Sequence, residues 1–333
     1  MRAEDLYVAT LAGSSSAEKT APNRDSVQFD GTRFYAMHSG RVDAPLPFSW
    51  DVPRSIAAGK LESLQVAHRH MLRDGMVNHE AGGRPRDLAV YPGVLGNGFW
   101  SLDIYYHLLN CGLRLPPSAG SGSGWKPEAT GRREKAPAAK AVPSSNFNPV
   151  GYNRVYVFID GKPTWAKWWE GLRAGRVVVT NGPLIRPTVE GQPPGHVFHA
   201  EQGQTVELEI GLSLSTRDKI SYLEVVKNGA TAHSSRLDQW KENKGKLPPL
   251  KFTESGWFLV RAVTDEPSTY RYATTAPYYV QIGDQPRISK ASAQFFLDWC
   301  AERVEQHKVG GDLTDWRRTE DYWSDLVKGA NAP

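Results

Sequence analysis

Cysteine is nearly absent from this chain. It has only Cys111 and Cys300, and two thiols cannot build a disulfide scaffold. They follow no metal-ligand spacing, and both fall on apolar faces of predicted helices, so each reads as a small core residue. Long apolar runs are missing too. None reaches the 18 or so residues a membrane-spanning helix needs, so no membrane partner is expected. Met1-Arg2-Ala3-Glu4-Asp5 lacks the apolar stretch of a signal peptide. Charge of one sign is not in surplus: 40 basic residues stand against 36 acidic ones, a net charge of +4. Nucleic-acid binding asks for a basic stripe with interleaved aromatics. The one dense basic stretch, Arg132 to Lys140, sits among Pro, Ala and Gly and reads as a solvated linker, so no nucleic-acid partner is expected. There is no internal repeat.

What the chain has is enough apolar material for a sizeable core: 40% of its 333 residues are hydrophobic and 11% aromatic. That length suggests two domains, or one with an appendage. Asp5 to Thr10 reads as a strand almost at the start. A chain that begins inside a core element is expected to lack an upstream part, so a cytoplasmic protein and a truncated exported one both stay open.

Residues 1–125 read as mixed α/β. Residues 14 to 33 are polar and turn-rich, ending in the turn signal Asp30-Gly31. Phe34 to Met37 is a predicted strand leading to His38. Pro53 opens a short helix through Ala58 that Gly59 closes. Leu61 to Val66 is a strand followed by His68-Arg69-His70. Ser101 is placed to cap a helix in which Ile104, Leu108 and Cys111 share a face. Gly112 ends it, and Leu113 to Leu115 is a further strand running into a Pro, Ser and Gly-rich loop at 116–124. In parallel α/β architecture, functional groups gather on the loops after the strands. His38, His68, His70 and the loop at 118–124 would lie there. Residues 126–149 are rich in Pro, Ala and charge and read as a disordered linker or insertion.

From 150 the pattern changes. Val155 to Ile159 is a dense β-former run, and Asp160-Gly161 is a hairpin signal. Trp165 to Ala174 is a short helix with Trp168, Trp169 and Leu172 on its apolar side, closed by Gly175. Strands follow at 176–180, 206–214, 220–227, 256–264 and 278–282, with turns at Asn181-Gly182-Pro183 and Asn228-Gly229. That spacing predicts a β-sandwich over 150–286. Residues 287–333 return to helix and tail. Ser289 is the candidate N-cap, and Ala293, Phe296, Leu297, Cys300 and Val304 form a stripe. The tail beyond Gly310 is polar, with Trp316 and Trp323 expected to hold it to a surface.

Trp168-Trp169-Glu170-Gly171-Leu172-Arg173-Ala174-Gly175-Arg176-Val177-Val178-Val179-Thr180-Asn181-Gly182-Pro183 is the best signature in the chain. With Gly151-Tyr152-Asn153-Arg154, Leu223 to Gly229 and Thr275 to Val280, it resembles the CehA/McbA-type metallohydrolases of the PHP superfamily. The resemblance covers about 150–285 and extends upstream through Trp50-Asp51-Val52-Pro53, Arg73-Asp74-Gly75-Met76 and Arg84-Pro85-Arg86-Asp87. It implies a fold that is α/β plus β: a PHP-like β/α barrel portion, then a β-sandwich and a C-terminal helix. It also implies divalent metals (zinc, manganese or iron) held at the strand ends, and hydrolysis of an ester, amide or phosphoester in a small-molecule substrate.

Family ligands begin with an Asp-x-His-x-His motif and end with a Gly-Ser-Asp-x-His-like one. Here Asp5 stands in the first, but Tyr7 and Ala9 replace its histidines. Gly122 and Gly124 replace the Asp and His of the second. A β/α barrel also takes about 200 residues or more, and about 125 precede the linker, so an incomplete barrel is expected. The remaining metal candidates are Asp5, His38, His68 and His70, with Asp43 and Asp74 as possible further donors. His68-x-His70 is the best pair, since alternate residues on extended chain point the same way.

His79-Glu80 does not extend to HExxH, because Gly83 stands at the final position. His107 reads as a satisfied, half-buried histidine. Gly120-Ser121-Gly122-Ser123-Gly124 superficially matches a nucleophile elbow, but no helix follows. Arg154, Arg173 and Arg176 lie near the domain junction. Arg154 and Arg176 are candidates for an anionic ligand, and inter-domain salt bridges are the alternative. Two functions remain open: a metal-dependent hydrolase, and a non-catalytic descendant binding a ligand or partner through the old cleft or the sandwich.

Overall fold

The computed structural model describes residues 26–29, 32–37, 41–71, 83–121, 151–307 and 314–333. Asp5, His38, Asp74, His79, Glu80, Gly122, Gly124 and the linker at 126–149 lie outside them.

The first sheet has the order β1-β2-β3-β4-β5, from β1 (Ser26–Phe29), β2 (Thr32–Met37), β3 (Arg41–Ala44), β4 (Leu61–Ala67) and β5 (Pro117–Ala119). Its first three strands pair antiparallel. β3, β4 and β5 run parallel, which needs crossovers; α1 (Val52–Ala57) and α2 (Gly96–Asn110) lie within them. Among the described residues no sheet closes into a barrel.

Three expectations for this part need correcting. β1 and β3 fall where the sequence reads as polar loop, because their pairing comes from the hairpin and not from an apolar run. The strand expected at Leu113 to Leu115 is displaced to Pro117–Ala119. β5 is the edge strand, and Pro117 opens it, the position where a missing N–H costs no ladder bond. Ser101 does not cap α2. It lies within the helix and donates to the Asn97 carbonyl at 2.7 Å, the i−4 back-bond open to helical serines. The expected apolar face holds: Ile104, Leu108 and Cys111 are all buried.

The second part begins at β6 (Arg154–Val157), α3 (Trp165–Arg173) and β7 (Val177–Thr180). Asp160-Gly161 does not close a tight hairpin. α3 intervenes, and β6 pairs antiparallel with β7 beyond it. Thr164 caps α3, accepting from the Lys167 N–H at 3.3 Å. Then come β8 (Leu184–Val189), β9 (Val197–Ala200), β10 (Val206–Ser215), β11 (Ile220–Lys227), β12 (Ala230–Ser235), α4 (Leu237–Glu242), β13 (Lys246–Phe252), β14 (Gly256–Thr264), β15 (Tyr272–Thr275) and β16 (Tyr278–Ile282). Asn228 and Gly229 both take positive φ, 50° and 89°, as a two-residue hairpin turn requires.

These strands form an eight-stranded sheet and a three-stranded one, β13-β10-β8. They share one apolar core, including Ile185, Leu208, Leu250, Leu223, Phe258 and Val260, and make a sandwich-like pair. The large sheet is covered on its other face as well. Along β14, Phe258, Val260 and Ala262 enter the sandwich core. Trp257, Leu259 and Val263 enter a second core with α2 and β4. That is the period-2 alternation of a strand buried on both sides.

α5 (Lys290–His307) follows as expected, with Ser289 Oγ accepting from the Ser292 N–H at 3.3 Å. The polar tail forms a further helix, α6 (Thr314–Lys328). Its Trp316 and Trp323 hold it to the rest of the protein, as expected, and are themselves fully buried in the core. The Trp323 indole donates to the Pro53 carbonyl of α1 at 3.2 Å.

Candidate functional site

The described metal candidates lie on or just beyond the parallel strands β3 and β4. β4 delivers His68 and His70 just beyond Ala67, and both side chains are fully buried. Their rings are 6.0 Å apart, and Phe48 stands edge-on to each.

His68 is fixed by two bonds. Its Nδ1 accepts from the His70 backbone N–H at 3.2 Å, so the proton of the neutral ring sits on Nε2. That Nε2–H donates to Ser101 Oγ at 2.7 Å, whose own proton goes to Asn97 O. Burial, and to a lesser degree the nearby Arg69 charge, lowers its pKa to about 3, so the ring is neutral at physiological pH. His70 Nε2 accepts from Arg69 Nε at 3.1 Å. Its carbonyl accepts from Asn97 Nδ2 at 3.3 Å.

Asp43 on β3 is buried, and its carboxylate bonds to side chains of β4 and β5. Ser63 Oγ donates to it at 2.6 Å and Gln65 Nε2 at 2.7 Å, and Ser118 Oγ on β5 is a third donor. Burial raises its pKa, with the three hydrogen bonds opposing that shift. The carboxylate thus ties β3, β4 and β5 together.

This donor set can be tested against a divalent cation. A metal needs an imidazole lone pair pointing outward and carboxylate oxygens free to coordinate. Here both His68 nitrogens are spent within the protein, a guanidinium donates to His70 Nε2, and Asp43 carries three donors. The described residues, as bonded, do not fit the metal that the resemblance would imply. Among the described residues no group of three or more His, Cys, Asp or Glu is placed to hold one. Asp5 and His38 lie outside this test.

The arginine candidates separate. Arg176 Nη2 pairs with Glu170 Oε1 of α3 at 2.8 Å, a local contact. Arg173 Nε reaches Glu62 Oε2 of β4 at 3.9 Å, a bridge between the two parts. Arg154 opens β6, opposite Thr180. His107 is satisfied as expected: Nδ1 lies 3.0 Å from Ser292 Oγ, and the ring stacks on Phe295 at 4.2 Å. Both cysteines are buried, and burial pushes the Cys111 thiol up to about 12.

The Thr-Asn-Gly-Pro signature has a structural explanation. Asn181 Nδ2 donates to Tyr270 O at 2.9 Å, and its Oδ1 accepts from the Tyr272 N–H at 2.8 Å. The carboxamide thus continues the ladder between β7 and β15 after the strand has turned away. Thr180 Oγ accepts from the Gly182 N–H at 2.9 Å and donates to Pro183 O. The Tyr272 hydroxyl then donates to Val66 O of β4 at 2.8 Å, which joins the sandwich to the strand ends.

Beside this joint lies a group that residue-by-residue reading passed over. Asn153, buried, donates from Nδ2 to Gly120 O at 3.0 Å, and Ser121 Oγ accepts the Asn153 N–H at 3.0 Å. Asn153 Oδ1, Thr269 Oγ and Arg271 Nε are buried and meet no hydrogen-bond partner among the described residues. Arg271 pairs through Nη1 with Asp218 at 3.3 Å and lies over Tyr152, 6.0 Å from its ring centre. In the sequence, only the run Gly151-Tyr152-Asn153-Arg154 within the signature hinted at this place.

No family model matches the chain, and no curated protein matches it. Among solved structures, Clostridium thermocellum CbhA fibronectin(III)-like modules are similar at 14% identity and a TM-score of 0.21, over 29% of this chain and 96% of that one. A likeness at that level leaves fold and function to be argued from the chain's own residues.

Proposed function

We propose that this chain is a non-catalytic descendant of the metallohydrolases it resembles, one that binds a small-molecule ligand at the strand-end cleft. One observation supports this above the others: the hydrogen bonding of His68. A ligand histidine needs an outward lone pair, and here Nδ1 is spent on a backbone N–H and Nε2 on Ser101. Burial alone would keep the ring neutral, as a metal requires. The two bonds instead commit it to holding β4 against α2. The substitutions Tyr7, Ala9, Gly122 and Gly124 at family ligand positions point the same way.

A second reading, the metal-dependent hydrolase, is favoured by the same pair seen differently. Two buried imidazoles 6.0 Å apart directly after a parallel strand would have to rotate and release Ser101 and Arg69. Asp5 and His38 would join them around zinc, manganese or iron.

Elemental analysis of the full chain, purified after supplementation with each metal, separates the two. Far less than one metal per chain is expected. One or more per chain, lost in the His68→Ala, His70→Ala double variant, would overturn the proposal in favour of the hydrolase.

A further inference from the structure

We infer that Trp50, Trp299, Trp100 and Tyr91 form a path along which an oxidising equivalent leaves the aromatic core and comes to rest on Tyr91. The inference stands apart from the ligand-binding reading and gives the chain a further activity. The rings follow one another closely. Between ring centres, Trp50 and Trp299 lie 6.2 Å apart, Trp299 and Trp100 6.5 Å, and Trp100 and Tyr91 5.2 Å. Indole and phenol are the side-chain rings that give up one electron most readily, and electrons cross such gaps without a mediator. Packing accounts for the contacts themselves. What flanks each end gives the path a direction. The Arg303 guanidinium lies 5.4 Å from the centre of the Trp50 ring. That of Arg84, paired with Glu302, lies 5.2 Å from the centre of the Trp299 ring. At the other end the Tyr91 hydroxyl donates to the Asp103 carboxylate. In a medium of low dielectric, a positive hole is repelled from the guanidinium end and drawn towards the carboxylate.

The proton acceptors point the same way. The indole N–H groups of Trp100 and Trp299 are buried and meet no hydrogen-bond partner among the described residues. A radical cation formed on either ring keeps its proton there, and with it its full oxidising power. Tyr91 has an acceptor in place. Burial, and then the bond to Asp103, raises its pKa, so the phenol carries its proton until it is oxidised. The step balances as follows. A diffusible one-electron oxidant, of the class of the carbonate radical anion, takes one electron from an indole of the path and leaves reduced. Electrons then pass from ring to ring until Tyr91 supplies the last. Its phenolic proton goes to Asp103, which leaves a neutral tyrosyl radical and a carboxylic acid. A soluble thiol returns one electron and one proton to the phenol, and Asp103, 39% exposed, releases its proton to water.

The test irradiates the full chain with near-ultraviolet light that excites indole and not phenol. A cobalt(III) ammine complex takes up the ejected electrons, a nitroso spin trap captures the radicals, and peptide mass spectrometry maps the adducts. Tyr91 is expected to carry the main tyrosyl adduct. Trp100→Phe interrupts the path and should lose most of it. Asp103→Asn removes the proton acceptor at a partly exposed position and should lose it as well, which keeps the test decisive if Trp100→Phe fails to fold. A Tyr91 adduct that survives either substitution in a folded chain would mean that the phenol is oxidised directly, and overturns the inference. So does the absence of a tyrosyl adduct. A main adduct at Tyr322, which lies 5.1 Å from Trp323 between ring centres, would assign the exit to α6 and overturn it too.

Discussion

The central eight-stranded sheet separates two interiors of different chemistry. On the sandwich side Phe258, Val260, Ala262 and Ile185 meet in an apolar core. On the other side the core is aromatic and polar groups are threaded through it. Among the described residues every buried Asp, Glu, Lys or Arg either lies within 41–121 or, like Glu224 and Arg261, reaches towards α2. That pair faces across β11 and β14, and Arg261 Nη1 donates to the Tyr106 hydroxyl of α2 at 3.2 Å. The difference is instructive. Apolar packing is non-directional and fills a sandwich from alternation alone. Fixing how two layers of unlike structure meet requires directional bonds, and here they run from His68 to Ser101, from Tyr272 to Val66 and from Arg261 to Tyr106.

The sharpest way to break the comparison is on the apolar side. Phe258 is fully buried against Tyr278 and Phe252, at 5.1 and 5.8 Å between ring centres. Phe258→Ala should cost about 3–5 kcal/mol in urea unfolding, with secondary structure retained if the chain still folds. On the polar side Glu224→Gln keeps the shape but gives up a charge-assisted bond to Arg261. It should cost about 1.5–3 kcal/mol. A smaller loss than that from Lys246→Ala would show the buried pair to be idle.

A pH series sharpens the contrast further. The folded pKa of His68 is depressed from its ordinary 6.5 to about 3. Its contribution is therefore fully present above pH 6.5 and is lost as pH falls towards 3. The slope is at most about 1.4 kcal/mol per pH unit. His68→Gln removes the titrating group, so the difference in stability between parent and variant should shift steadily between pH 6.5 and 4.5. A constant difference would mean that His68 is already protonated or solvated. The smallest effect belongs to the exposed Lys246–Glu209 pair, 2.8 Å apart. Lys246→Ala should leave the urea midpoint unchanged within error at high salt, because solvent and ions screen such pairs.

Much of the sandwich was legible before any coordinates. Ile220 to Lys227, Asn228-Gly229 and Gly256 to Thr264 announce strand, turn and strand through β-formers and a residue pair that tolerates positive φ. Gly59, Gly112 and Gly175 mark helix ends by the same logic, and each takes positive φ. β1, β3 and β15 were not legible. They are strands of four residues each, too short for a period to register, and they exist because a neighbour offers its ladder. α6 read as a polar tail because its apolar stripe is narrow, resting on Trp316 and Trp323.

The site divides along the same line. His68-x-His70 was visible as a pair, because alternate residues after a strand share a direction. What each ring nitrogen bonds was not, since Ser101 lies 33 residues further along the chain. Nor could sequence foretell that Asp43 would be held by Ser63, Gln65 and Ser118 instead of joining the histidines. By itself the sequence determined the longer strands of the sandwich, the helices ahead of the tail and the glycines that close them, because those depend on neighbours within a few residues. Only the tertiary structure decided which polar atoms are spent and which, at Asn153 and Arg271, are left over. A hydrogen bond is made or lost within an ångström, and the partners come from strands far apart in the chain.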